Sequence, residues 1–338
     1  MKHPIKYLLA WSIPASFLVS LGTEGIGKFF TVFYAFGILP SLELFLEPVR
    51  INLSKEREDQ LKDSKILDWI LWATVPLQWA CLFFCMHQIR SAGLTQLEII
   101  GLIFSMGICC GVLGINAAHE LGHRKSKFER VLSRLLLMTS LYWQFFVEHN
   151  QGHHKHVATP EDSESAHYGE SLPRFWVRAL WLAFRNAWKL DTSEMMVGTA
   201  AQAALIAGIY FQFGGHATLT FVVSSGVGAL LLQSVNYIEH YGLSRKRLEA
   251  GGYEKVLPRH SWNSSHPLSR YVLFELSRHS DHHAHATRKY PLLRHFEDAP
   301  QMPTGYPGMI LLALIPPLWF KYMDRKLIEE NQNPRMST

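Results

Sequence analysis

The chain has 338 residues, and its 33 Lys or Arg and 28 Asp or Glu make charged residues only 18% of the total, where a soluble domain carries roughly 25%. Hydrophobic residues reach 48% and aromatic residues 12%, too apolar for a disordered chain and too aromatic for a coiled coil, while a net charge of +5 gives no argument for nucleic acid. Cys81, Cys85, Cys109 and Cys110 all lie in apolar runs without zinc-ribbon or iron–sulfur spacing, which excludes a disulfide scaffold and an internal cluster motif. A membrane-crossing helix needs about 20 predominantly apolar residues to cover about 30 Å of hydrocarbon. In chain order, six stretches meet this length: about 7–27, 29–48, 69–89, 97–118, 195–213 and 217–238. The first two form a hairpin around Gly27 and Lys28, the last two another around Gly214 to His216. The first is too long for a signal peptide core and runs into a second span, so it reads as a retained helix.

The fold class expected is therefore an all-α integral membrane protein with six transmembrane helices, residues 1–338 forming one membrane-embedded domain. Lys and Arg resist translocation. Lys2 and Lys6 precede the first span, and Arg50, Lys55, Arg57, Lys62 and Lys65 follow the second, whereas the alternate turns hold only Lys28, Arg90 and no basic residue. Both termini are thus expected in the cytoplasm, together with the two polar segments 119–194 and 239–307. Val131 to Val147 is apolar but only about 17 residues long and contains Arg134, which leaves its crossing ambiguous by length. The stretch 308–320 is broken by Pro316 and Pro317; it is expected at the interface or under the catalytic region.

Sixteen of the 18 His lie at or after position 119, and they are grouped. His119 and His123 lie in HELGH, His149, His153 and His154 in EHNQGHHKH, His240 in NYIEHYG, and His279, His282 and His283 in RHSDHHAH. Separations of three and four put imidazoles on one helix face, and neutral imidazole suits iron, zinc and copper. If Val131 to Val147 crossed the bilayer, His149 would lie about 30 Å from His123. That run is therefore expected to re-enter or lie flat. HELGH alone matches the zinc-protease motif HExxH, with Glu120 as base. Such a site needs only three protein ligands, which leaves six of the nine imidazoles without a role; nine suffice for two metals with open positions for dioxygen or substrate.

HELGH, EHNQGHH with its trailing VATPEDSES and GES, NYIEHYG, and HSWNSSH followed by LSRHSDHHAHATRKY resemble the bacterial integral-membrane di-iron alkane 1-monooxygenases, which are related to membrane fatty acid desaturases and xylene monooxygenase. The resemblance runs from about Asn116 to Asp324 and includes PTGYPGMILLALIPPLW. It implies six spans, a cytoplasmic non-haem di-iron centre and terminal hydroxylation of n-alkanes to primary alcohols with dioxygen. The metal ligands it implies are His119, His123, His149, His153, His154, His240, His279, His282 and His283. Glu148, Glu239 and Asp281 directly precede ligand positions and are candidates to anchor an imidazole N–H, as are Glu120 and His260. Ala35 and Gly37 are small residues in the second span, expected to deepen a substrate channel toward longer alkanes.

The chain carries no flavin or nicotinamide fingerprint, so electrons must come from outside. The resemblance implies rubredoxin, reduced in turn by a flavin-containing NAD(P)H-dependent reductase. Arg124, Lys125, Lys127, Arg130, Lys155, Arg245, Lys246 and Arg247 are candidates to steer an acidic carrier. The setting expected is a bacterial inner membrane, with lipid around the spans and a small hydrophobic substrate. Alternatives on the same metal chemistry are a fatty-acid or lipid desaturase or hydroxylase and an alkyl-aromatic monooxygenase; an intramembrane zinc protease belongs to a different reaction class.

Overall fold

The computed structural model describes residues 4–91 and 93–332, so Lys2, counted above toward orientation, lies outside them. Among the described residues there is no β-strand beyond two isolated bridges, Arg247 with Tyr253 and Asn263 with Gln301. Among the described residues six helices are long and apolar enough to cross a membrane: Pro4–Gly22, Gly25–Glu43, Lys65–Ser91, Gln96–Gly122, Thr192–Phe213 and Gly215–His240. They match the six stretches expected, each shifted or lengthened by a few residues. The hairpin turns fall at Gly25 and Gly214, whose φ of 54° and 86° lies in the left-handed region that costs glycine least. Two polar caps fix the starts of other spans. Thr95 and Glu98 form a reciprocal capping box on the fourth, and the Asp191 carboxylate accepts from Glu194 N–H at 3.0 Å on the fifth.

The fourth and sixth spans are the central pair. Glycines let them approach closely: a Cβ on Gly107 would meet Val227, one on Gly111 would meet Leu231, and one on Gly228 would meet Cys110. Burial of 78% in the fourth span's most apolar stretch against 11% in the fifth places the former inside the bundle and the latter at its lipid-facing rim. This packing also fixes chemistry, because His119 ends the fourth span and His240 the sixth.

Val131 to Val147 does not form one continuous helix. A helix over Lys127–Met138 stops at a turn in which Leu141 has φ 46°, and a short helix resumes over Gln144–Glu148. The first of these is amphipathic. Phe128, Val131 and Leu135 are exposed, while Leu136 and Leu137 are buried. Arg134 pairs with Glu194 at 2.6 Å, which removes the cost of an unpaired charge beside the bilayer. The run thus returns to the side it left, and His149 joins His123.

A second amphipathic helix, Leu172–Leu190, had no counterpart in the sequence reading, which placed 119–194 in a polar segment. Val177, Trp181 and Phe184 are exposed along one face, whereas Phe175, Ala179, Ala183 and Ala187 are buried on the other. It contains four basic residues and no acid, the composition of a helix lying in a membrane interface. Residues 308–320 belong to a helical hairpin, Tyr306–Ala313 and Pro316–Asn331, with Pro316 at the start of the second helix, where its missing N–H costs nothing. Met309, Trp319 and Met323 pack with Tyr237 and Tyr241 of the sixth span in one buried cluster under the His240 end.

Candidate metal centre

The local backbone departs from regular helix beside two of the histidine boxes. Cys110–Asn116, just before HELGH, and His149–His153 are widened π turns, which insert one residue and rotate the side chains that follow. His153 and His154 are thereby aimed at different groups. The last three imidazoles come from one short helix, His279–Ala284.

All nine His come together, in two groups. His119, His123, His149, His154 and His282 form one; His153, His240, His279 and His283 form the other, with the ligand atoms of each within 4.8 Å of one another. In the first group, Nε2 of His119 and of His154 each lie 2.9–3.0 Å from Nε2 of His282, and His149 Nε2 is 3.1 Å from that of His123. In the second, His279 Nε2 lies 3.1 Å from His240 Nε2 and 2.9 Å from His283 Nε2. A metal–imidazole bond of about 2.1 Å sets ligands at right angles about 3 Å apart. The nitrogens therefore already sit at the edges of coordination polyhedra, and the residues fit an ion in each group. The groups adjoin, with the His154 and His283 rings 4.5 Å apart.

Burial first, and then neighbouring imidazoles, hold His123, His149, His154, His279, His282 and His283 well below the usual histidine range. Neutral rings keep the lone pair a metal needs. His153 differs. Burial pushes it down, but the Asp162 carboxylate, 2.9 Å from Nδ1, raises it. That bond places the ring proton on Nδ1 and leaves Nε2, which has no protein partner, for the second group.

Second contacts sort the expected carboxylates. Glu239 lies with Oε1 3.1 Å from Nδ1 of His279, not of its neighbour His240, and accepts from Tyr306 Oη at 2.5 Å. His240 Nδ1 instead faces the His260 carbonyl at 3.4 Å, so His260 supports a ligand through its backbone, its ring being held by Glu254. Asp281 turns away to His285, Arg288 and Arg294. Glu148 accepts from Ser163 Oγ at 2.7 Å, because its side chain points to the 162–165 loop rather than back along its own helix. Glu120 pairs with Arg124 at 2.8 Å and accepts from the Tyr290 N–H, away from the position of a water-activating base. Asp162 was not singled out in the sequence; it lies in the quoted VATPEDSES run, nine residues beyond His153, where no helical spacing points to it.

A narrow apolar cavity runs up to this region between the first, second, fourth and sixth spans. Ile13, Ala35, Val112, Leu231 and Ile310 wall it, and Asn116 and Tyr306 are its polar residues beside the ligand-bearing elements. Ala35 is buried in this wall on a widened turn of the second span, Tyr34–Ile38. Gly37 is exposed and is not among the lining residues; a Cβ there would meet nothing within 4 Å. Of the basic residues expected to steer a carrier, Arg124 is buried against Glu120 and Asp68, and Arg245 is turned to the carbonyls of Glu254 and Lys155. Lys125, Lys127, Arg130, Lys155, Lys246 and Arg247 are exposed.

Residues 94–313 match the model of the fatty acid desaturase family. The chain is 39% identical over 342 residues to alkane 1-monooxygenase 1 of Pseudomonas aeruginosa, covering 95% of this chain and 88% of that protein. It is 37% identical over 343 residues to alkane 1-monooxygenase 2 of Alcanivorax borkumensis, covering 95% and 90%. A more distant likeness, 29% over 248 residues and 69% of this chain against 66% of the other, is to the hydroxylase component of xylene/toluene monooxygenase from Pseudomonas putida.

Proposed function

The chain belongs to the fatty acid desaturase family and, within it, to the alkane 1-monooxygenases, and from that premise we propose that its nine imidazoles hold two iron ions with which it hydroxylates the terminal methyl of n-alkanes to primary alcohols. Alkane hydroxylation is the activity of this integral membrane enzyme. The observation that supports two irons is the division of nine His into groups of five and four with ring nitrogens about 3 Å apart. The ions, when bound, supply dioxygen activation by two electrons, chemistry that no side chain provides.

The protein's own residues then have three tasks. His119, His123, His149, His154 and His282 hold one ion; His153, His240, His279 and His283 hold the other. Asp162 keeps the His153 proton on Nδ1, and Glu239, held by Tyr306, sets its carboxylate 3.1 Å from His279 Nδ1. The apolar cavity selects substrate. An alkane offers no hydrogen-bonding handle, so recognition rests on burying methylene groups, about 0.8 kcal/mol each, in a channel that excludes water and presents the chain end.

The electrons come from rubredoxin and, upstream, a flavin-containing NAD(P)H-dependent reductase, docking on the cytoplasmic face of the inner membrane, where the exposed Lys125, Lys127, Arg130 and Lys155 offer positive charge. Both termini lie on that face. The test is iron analysis of the purified protein, followed by turnover of octane and hexadecane with rubredoxin and its reductase and mass spectrometry of the product. Two irons per chain and 1-alkanol are expected. A chain without iron, or an alkene as product, would overturn the reading.

A further inference from the structure

The space between the start of the first span and the loop 49–54 takes no part in the metal centre. It is a cavity of about 560 Å³ in which three cations, Lys6, Arg270 and Arg278, face one carboxylate, Glu275. Two positive charges are thus in excess. Glu275 is already committed: Oε2 lies 2.6 Å from Arg270 Nε, and Oε1 lies 3.2 Å from Lys6 Nζ and accepts from Tyr7 Oη at 2.8 Å. The inner guanidiniums are 3% and 4% exposed. Arg270 donates to the Val49 carbonyl, and Arg278 to those of Val49, Ile51 and Leu293. Those bonds satisfy N–H groups but leave the charge unbalanced. Arg278 Nε is a buried donor without an acceptor, 3.8 Å from Glu275 Oε2, and such a group costs free energy until an acceptor reaches it.

The position of the cavity identifies its occupant. Lys6 stands at the end of the first span, flanked by Ile5 and Leu8, which are 54% and 36% exposed. On the other side the loop presents Ile51, 81% exposed. Cations at the end of a span, rimmed by outward apolar side chains, match a headgroup with its acyl chains rather than a free anion. We propose that this cavity binds the phosphodiester of an anionic glycerophospholipid whose acyl chains lie along Ile5, Leu8 and Ile51. Because Arg278 directly precedes His279, the lipid braces the segment that carries the last three ligands.

The test uses the full-length protein in neutral detergent, titrated with phosphatidylglycerol, phosphatidylcholine or inorganic phosphate, and read by native mass spectrometry and by the unfolding temperature. Phosphatidylglycerol is expected to bind more tightly than phosphatidylcholine and to raise the unfolding temperature, with inorganic phosphate doing neither. A variant at the mouth, Lys6→Gln, is expected to weaken phosphatidylglycerol binding about fivefold. The control Lys127→Gln with Lys189→Gln removes two charges elsewhere and keeps the preference. Equal binding of the two lipids would overturn the proposal, as would a preference unchanged in the mouth variant, an equal loss in the control, or inorganic phosphate matching the lipid. The lipid preference of the parent protein is read without any variant, so the outcome holds even if the mouth variant fails to fold.

Discussion

Glu275 is the one acid among Lys6, Arg270 and Arg278, and Glu275→Gln tests how far the last histidine-bearing segment depends on it. Burial alone would raise this carboxyl; Arg270, Lys6 and Arg278 together hold it at about 2, against an ordinary 4.5. At about 1.4 kcal/mol for each tenfold change in proton affinity, the ionised side chain contributes about 3 kcal/mol. That agrees with the roughly 3–5 kcal/mol lost when one partner of a buried ion pair is removed. The sign follows from a depressed folded-state value. The contribution is complete above the unfolded carboxylate's value and is lost as pH falls from about 4.5 to about 2. Thermal unfolding in detergent at pH 7 is expected to show Glu275→Gln melting about 5 °C below the parent, given about 2 °C per kcal/mol for a long chain. The gap is expected to narrow as the parent is acidified. Equal melting at pH 7, or a gap that stays constant down to acid, would refute the charge accounting.

Other outcomes follow from the same geometry. Ala35→Trp fills the cavity wall, and at about fourfold per methylene denied burial it is expected to lower kcat/KM for hexadecane by more than about tenfold while sparing octane; parallel losses along a chain-length series would remove Ala35 from the channel. Asp162→Asn keeps shape but removes the charge that orients His153, so iron retention during dialysis against a chelator is expected to weaken about 10–100-fold at one of two sites; unaltered retention would count against that role. Gly198→Ala puts a methyl group into the Trp143 ring and is expected to cost about 1–3 kcal/mol, visible as a lower unfolding temperature. Turnover with rubredoxin is expected to fall with rising salt and with Lys125→Glu combined with Lys127→Glu; turnover indifferent to both would exclude steering by this face.

The elements legible in the sequence were those with a strong local signal. Span length follows from the apolar thickness a helix must cover, and the clustering of the nine His was legible because HELGH and RHSDHHAH repeat imidazoles at helical spacing. The return of residues 131–147 was also readable, since His149 had to meet His123. Side-chain partners were harder, because they depend on three-dimensional packing. Glu239 was adjacent to His240 in sequence but turns to His279, 40 residues away. Asp162 reaches His153 across a loop that has no periodicity. The helix Leu172–Leu190 was hidden because Arg174, Arg178, Arg185 and Lys189 lower its mean hydropathy below that of a span, although its two faces contrast strongly. Gly37 shows the converse limit: although its neighbour Phe36 lines the cavity, Gly37 itself faces outward.

The metal centre also imposes an order on the making of the protein. His119 and His282, whose ring nitrogens meet at 2.9 Å, are 163 residues apart along the chain. At a synthesis rate of about 5–20 residues per second, roughly 8–30 s separate their emergence from the ribosome. Neither group can be closed before the second of these appears, because the first group needs His282 and the second His279 and His283. Four of the six helices precede the box at 149–154 along the chain, and all six precede the last box. Both histidine groups are therefore completed only after every membrane-crossing helix has been synthesised.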